Sequence, residues 1–368
     1  MPLYPFQEQV YELLSVGRSV ILQAPTGAGK TRAALYPFLR AWEYGEDFPR
    51  KCIYSVPLRV LASQFSEEYT TRAANFDFQR PLTVGIQTGA QPEDRKFEDN
   101  LIFTTVDQTL SNVLTIPYAL SLGQGNLNAG AVLASYLVFD ELHLFDPEKM
   151  LPTVLHFLNM VKGITPFLVM TATFSETYVQ ALAKMLGAEA LVVSPEEAAA
   201  IPSQHKERRL HTTDTLLEAQ AVLQQHRQRS VAICNTVARA QALFEALRAQ
   251  AAPGTEVRLL HSRFLPPDRQ AHENWLRREF GKEKASYTVE SAILVATQVI
   301  EVGLDITCEA LHTELAPAAS VIQRAGRCAR YQGEQGEVYV YPLPPDQWGK
   351  PSYAPYLKAQ REICDRTW

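Results

Sequence analysis

The stretch Ser19-Val20-Ile21-Leu22-Gln23-Ala24-Pro25-Thr26-Gly27-Ala28-Gly29-Lys30-Thr31 narrows the folds open to this chain more than any other. It reads as a short apolar strand, a loop of small residues, and a Lys-Thr pair that opens a helix. Such a loop turns several backbone N–H groups into one concavity, and the helix N-terminus behind it adds partial positive charge. A triphosphate suits that concavity. The amides of Thr26, Gly27, Ala28 and Gly29 would cradle phosphates, Lys30 would reach the outer ones, and the Thr31 hydroxyl would take a place on Mg2+. The pattern usually begins with Gly, where this chain has Ala24.

Other stretches bear on what the triphosphate does. Tyr136-Leu137-Val138-Phe139-Asp140-Glu141-Leu142-His143 is an apolar strand ending in two carboxylates. The carboxyl end of a buried strand is where an open α/β sheet places ligand groups. Asp140 would hold Mg2+, usually through water, and Glu141 would orient or deprotonate the attacking water. A lone Asp-Glu pair after a strand more often caps a helix; the phosphate loop upstream in the same sheet reverses that reading. Phe167–Met170 is another buried run and ends in Thr171-Ala172-Thr173, read as a relay between the nucleotide and a second domain. Ser320 to Arg330 reads as a helix capped by Ser320, with Arg324, Arg327 and Arg330 on one side.

Strands and helices alternate along the chain, which argues parallel sheets with crossover helices. Tyr4–Gln7 is a poor regular element, and a short helix is expected over 8–14. A stretch with two prolines and mixed charge at 195–208 reads as a linker. The expected domains are 1–200, 208–345 and a tail at 346–368. A helix is expected over 216–227, and Glu337–Tyr341 reads as an edge strand. The second half has no phosphate loop, so it completes a site rather than owning one.

Two domains fit 368 residues, and a 46% apolar fraction excludes a disordered chain. A net charge of -5 does not advertise a partner held by charge alone, but it allows a binder that grips phosphates with amides and a few arginines. Five scattered cysteines without a C-x-x-C suit a reducing compartment. With neither a signal peptide nor an apolar run of about 20 residues, a cytoplasmic location and no membrane are expected.

In order and nearly end to end, these residues resemble a superfamily 2 helicase core. Gln7 is similar to the adenine-sensing Q motif, Ala24–Thr31 to motif I, Ser55–Arg59 to Ia, Gln87–Ala90 to Ib and Thr104–Gln108 to Ic. Asp140–His143 is similar to motif II, Thr171–Thr173 to III, Ile233–Thr236 to IV, Val295–Ile306 to V and Gln323–Arg330 to VI. Within that superfamily, Asp-Glu-Leu-His, Thr-Thr-Val-Asp-Gln, His261-Ser262-Arg263-Phe264, Ala296–Ile306 and Glu314-Leu315-Ala316-Pro317 look most like the CRISPR-associated helicase of type I systems. Gly303 departs from the pattern, since members often carry Ser there.

The resemblance implies an α/β fold of two tandem RecA-like domains with parallel sheets and an ATP cleft between them. ATP and Mg2+ are the implied cofactors, with Gln7, Gly303 and Asp305 beside the nucleotide. Gln323 joins Glu141 on the water, and Arg327 and Arg330 act as fingers from the second domain. A single strand would meet Arg59, Thr88, Thr105, Arg263 and Gln298 on the opposite edge, mostly through its phosphate backbone. The implied activity is ATP-dependent 3′→5′ movement on ssDNA opened by a CRISPR RNA-guided surveillance complex. An RNA helicase, and an ATP-gated nucleic-acid clamp that does not unwind, are the rival readings. Many members carry an HD nuclease; no His-Asp dipeptide occurs here, so the nuclease is expected on a separate polypeptide or fused in a longer parent chain.

Overall fold

The computed structural model describes residues 2–75, 80–301, 303–347, 349–353 and 356. Most of the expected 346–368 tail, Cys364 included, lies outside them. The chain divides into two compact units, Met1–Ile201 and Pro202–Trp368.

Among the described residues the first unit holds the strands β1 (Val20–Gln23), β2 (Cys52–Val56), β3 (Val84–Gln87), β4 (Leu101–Thr105), β5 (Tyr136–Phe139), β6 (Phe167–Thr171) and β7 (Glu189–Val192). They pair in the order β3-β4-β2-β5-β6-β1-β7, and every pairing is parallel. Parallel sheets are covered on both faces, so their strands are apolar throughout. Val20 and Leu22 enter one core with Tyr54 and Val138, while Ile21 enters the other with Ile53, Leu137 and Val169. Parallel pairing sends every carboxyl end to one edge of the sheet, and the loops expected to carry chemistry share that edge.

The second unit repeats the plan with β8 (Glu207–Thr212), β9 (Arg229–Ile233), β10 (Thr255–Leu260), β11 (Ser291–Ala296), β12 (Ala310–Glu314) and β13 (Gln335–Tyr341). Their order is β10-β11-β9-β12-β13-β8, again parallel throughout.

Several local expectations fail. The first helix spans Pro5–Ser15 rather than starting at Glu8, because a proline at the first helical position gives up only an N–H that has no partner there anyway. β8 starts inside the expected linker. It is almost wholly exposed and so carries no apolar pattern, yet it pairs with β13 along its length. β13 is therefore an interior strand, not an edge. The helix expected over 216–227 covers only Ala219–Gln225. The helix read through Arg330 spans Ala318–Ala325 and stops at Gly326. Beyond it, Cys328 pairs with Cys308 in a parallel bridge that pulls the chain away from the helix axis, so the three arginines do not share one helical face.

At the amino end of β9, Arg229 is buried against Glu279, 3.4 Å apart, and also donates to the carbonyls of Glu279, Val289 and Glu290. Burial pushes the Glu279 carboxyl up, but hydrogen bonds from Thr288, Arg278 and Val289 win and hold it at about 2, below its ordinary 4.5. A depressed pKa adds stability that is complete above the unfolded value and is lost as pH falls through the folded one. Glu279→Ala should cost the second unit about 3–5 kcal/mol in urea unfolding, by leaving Arg229 buried without its anion. Glu279→Gln should make the acid loss of stability between pH 4.5 and 2 shallower than in the parent chain.

Candidate nucleotide site and nucleic-acid edge

β1 feeds the loop, and Gly27 (φ +82°) and Gly29 (φ +93°) turn it into the helix Lys30–Tyr44. The positive φ at Gly29 calls for glycine, and a β-carbon there would come within 2.8 Å of Gln7 Nε2 and displace it. Gln7 is buried; its Oε1 accepts from the Tyr4 N–H (3.0 Å) and its Nε2 donates to the Gly29 carbonyl (3.1 Å). What its amide meets first is thus the phosphate loop. Lys30 is 6% exposed, with Nζ donating to the Ala24 carbonyl (3.2 Å) and lying 3.9 Å from Glu141 Oε1. A buried ammonium persists only where anions compensate it.

Those anions follow β5, which is separated from β1 by β6 alone. Asp140 Oδ2 accepts from the Tyr54 hydroxyl (2.7 Å) and Oδ1 from the Glu141 N–H (2.8 Å). Burial pushes the Asp140 carboxyl well above the usual carboxylate range; the Glu141 charge adds to this, and Lys30 and Tyr54 oppose it. Glu141 adopts φ +52°, ψ +46°, a left-handed conformation rare outside glycine. That turn sets its carboxylate between Lys30 and His143, whose Nδ1 is 3.5 Å from Glu141 Oε2. His143 Nδ1 also lies 3.3 Å from Thr171 Oγ1 at the end of β6. Burial draws the His143 pKa below its usual 6.5, against the pull of Glu141. His143 therefore joins the carboxylate pair to the threonine segment.

This set fits a hydrated Mg2+. The Tyr54 hydroxyl interacts with both Asp140 and Thr31, so the expected carboxylate and hydroxyl ligands share one neighbour. Two carboxylates face one ammonium, an excess of negative charge that a divalent cation offsets. Among the described residues no group of three or more His, Cys, Asp or Glu is placed to hold a metal ion by itself.

Arg59 and Thr88 follow the strands β2 and β3, and Thr105 ends β4 between them. Because the sheet is parallel they lie on the same carboxyl edge as the phosphate loop, displaced along it, rather than on an opposite edge. Arg59 is exposed and lies against Gly89, where a β-carbon would approach Nη2 to 3.0 Å. Thr88 and Thr105 are buried; Thr88 Oγ1 accepts from the Gln91 N–H (3.1 Å), and Thr105 Oγ1 has no protein partner. In the second unit, exposed Arg263 follows β10, and Gln298 follows β11 with Nε2 on the Asn235 carbonyl (2.9 Å).

Gly303 has φ +84°, a conformation that a serine there would adopt only under strain. Gln323 lies on the helix Ala318–Ala325. Arg324, on the same helix, is fully buried and bonds Glu301 (2.7 Å), Thr313 Oγ1 (2.8 Å) and the Glu314 carbonyl (3.1 Å). Arg327 donates to the carbonyls of Ile300 (2.9 Å), Leu304 (2.7 Å) and Glu301. Arg330 lies past the helix and pairs with the exposed Asp305. Sequence reasoning missed Tyr54 and the His143 link. The one signal for Tyr54 was a hydroxyl inside an otherwise buried strand.

Residues 4–182 match the DEAD/DEAH box helicase family, and residues 226–333 match the C-terminal part of the CRISPR-associated nuclease/helicase Cas3. With the two parallel sheets and the phosphate-loop site, these matches give the chain a DEAD-type helicase domain followed by a Cas3-like C-terminal domain. The chain is similar to CRISPR-associated helicases called Cas3. It is 26% identical to the CRISPR-associated helicase Cas3 of Thermoproteus tenax over 366 residues, covering 94% of this chain and 59% of that protein. A crystal structure of T. fusca Cas3-ADP superposes with a TM-score of 0.76 at 19% identity, over 100% of this chain and 49% of that one. A chain of a CRISPR RNA-guided surveillance complex, pre-nicking, gives a TM-score of 0.70 at 21% identity, over 99% of this chain and 48% of that one. The chain spans about half the length of the curated relatives it matches.

Tyr54→Phe removes the hydroxyl that holds Asp140. Losing such an outer partner of a metal ligand typically costs 10–100-fold in metal affinity or activity. The Mg2+ concentration for half-maximal ATP turnover should rise about 10-fold, measured by titrating Mg2+ in a phosphate-release assay.

Proposed function

We propose that this chain is the ATP-driven motor of a type I CRISPR interference system, a helicase that translocates on single-stranded DNA. The observation that carries the reading is the buried Lys30 ammonium set among the phosphate loop, Asp140 and Glu141. The amides of Thr26, Gly27, Ala28 and Gly29, together with Lys30, hold the β- and γ-phosphates of ATP. Thr31 and Asp140 hold Mg2+, which neutralises charge on those phosphates. Glu141 and Gln323 orient the attacking water. Gln7 braces the loop beside the nucleotide, and Gly303 and Asp305 shape the segment that adjoins it. We assign the arginine finger first to Arg330, because the Arg327 guanidinium is engaged by three backbone carbonyls.

The single strand runs along Arg59, Thr88 and Thr105 in the first unit and Arg263 and Gln298 in the second, held mostly by its backbone. The ADP complex of T. fusca Cas3 supports ATP as the nucleotide. The likeness to a chain of a CRISPR RNA-guided surveillance complex supports such a complex as partner. Relatives named nuclease/helicase support cooperation with an HD nuclease, separate or fused. Among the described residues no helix is long and apolar enough to cross a membrane, and the buried free thiols of Cys52, Cys234, Cys308 and Cys328 suit a reducing cytoplasm.

ATP turnover should be stimulated by ssDNA more than by ssRNA of matched sequence, and stimulation by RNA alone would overturn the CRISPR reading. Release of a forked duplex at catalytic protein concentration would exclude a clamp that does not unwind. Arg330→Ala should retain nucleotide binding while losing turnover by roughly 10³–10⁵-fold, the worth of an arginine finger in comparable enzymes.

A further inference from the structure

The turn that carries Arg330 is bent in an unusual way. Ala329 sits at φ +43°, in the left-handed region that non-glycine residues avoid. Three consecutive carbonyls of this turn, at Cys328, Ala329 and Arg330, each receive a side-chain donor from one short segment. Arg208 Nε donates to the Cys328 carbonyl (2.6 Å) and its Nη2 to the Ala329 carbonyl (3.4 Å). Lys206 Nζ donates to the Arg330 carbonyl (3.1 Å). The backbone adds two more stitches, Gly333 N–H to the His205 carbonyl (2.7 Å) and Glu207 N–H to the Glu334 carbonyl (3.0 Å). On its other side the turn is fixed by Thr307, whose Oγ1 accepts from the Arg330 N–H (3.1 Å).

We infer that Lys206 and Arg208 are positioning residues for the arginine finger: they neutralise the converging carbonyl dipoles of the 328–330 turn and so hold Arg330 in the orientation that turnover needs. This rests on the assignment of Arg330 made above. Burial, with Arg208 and Arg330 close by, draws the Lys206 pKa down to about 8. The half-buried ammonium meets the Arg330 carbonyl, and it is this contact that ties the segment to the finger residue. Without both cations the carbonyls of Cys328, Ala329 and Arg330 lose their side-chain donors, and only backbone bonds from that segment oppose relaxation of the strained Ala329 conformation. A displacement of about 1 Å in a catalytic group can cost about 10²-fold in rate. The segment is also the one through which the chain enters the second unit after Ile201.

The test uses the full chain, with Arg208→Met, Arg208→Lys, Lys206→Met and Arg330→Ala made singly, and each methionine variant also combined with Arg330→Ala. ATP turnover, the Kd of a fluorescent ATP analogue and the thermal unfolding midpoints are measured for each. The expected result is a fall in kcat of about 10–10²-fold for both methionine variants, with nucleotide Kd and midpoints within about twofold and a few degrees of the parent. Arg208→Lys should recover part of the loss, and neither methionine change should lower the residual rate of Arg330→Ala further. Parental kcat in both methionine variants overturns the inference, as does an equal further loss on top of Arg330→Ala. So does a loss of rate that only tracks a fallen midpoint; Lys206→Met, which leaves the β8–β13 pairing its arginine, is the variant less exposed to that outcome. Parental turnover in Arg330→Ala would instead remove the finger assignment itself, a different failure from parental turnover in the clamp variants.

Discussion

A lysine ammonium held almost out of water is the condition that the first unit is arranged around. Lys30 can stay buried only if carboxylates from elsewhere in the chain come within a few ångströms, and they do so from the end of β5. That requires β1 and β5 to run in the same direction with only β6 between them, and both strands to end level with the loop. The two carboxylates repel each other as adjacent charges, which is one reason Asp140 is drawn toward its neutral form while Tyr54 and Lys30 hold it back. A site in this state has the electrostatic character of a receptacle for a metal-bearing anion. It binds phosphate through backbone dipoles and the ammonium, and binds the cation through the carboxylate excess.

The second unit handles its charges differently. Arg324 fastens the helix Ala318–Ala325 to Glu301 and to the end of β12, and Arg327 fastens the following turn to the carbonyls of Ile300, Glu301 and Leu304. The segments resembling motifs V and VI are thereby one body. Arg330 is directed to an exposed partner, Asp305. Three arginines at equal spacing in sequence hold three unlike positions because Gly326 ends the helix and the Cys308–Cys328 bridge redirects the chain.

Much of this was legible from residues alone. The strands that carry the loop, the Asp-Glu pair and the Thr-Ala-Thr segment are short apolar runs with punctuated ends, and burial on both faces leaves no other reading of them. The phosphate loop could be read down to the glycines, since Gly27 and Gly29 need positive φ. What sequence could not supply were features set by partners far along the chain. Tyr54 looks like any core aromatic until Asp140 is seen beside it, and His143 reads as a loop histidine until Thr171 is found within reach. β8 failed for a related reason. Its residues are polar because almost the whole strand is exposed, and its strand identity comes from β13 rather than from its own composition. The bonds of Gln7 to the backbone at Tyr4 and Gly29, on either side of it, are likewise set by partners that its own neighbours in sequence do not announce.

β8 opens the second unit in sequence, yet its neighbour β13 is the last strand among the described residues; Glu207 and Gln335 stand 128 residues apart. On a ribosome adding about 5–20 residues each second, the nascent β8 waits roughly ten seconds for that neighbour. Throughout the wait it is an open template for any passing strand. Its run of Glu207, Arg208 and Arg209 makes it a poor one, since charged borders resist intermolecular pairing. The composition that disguised this strand as a tether also makes it a poor seed for pairing between newborn copies of the chain.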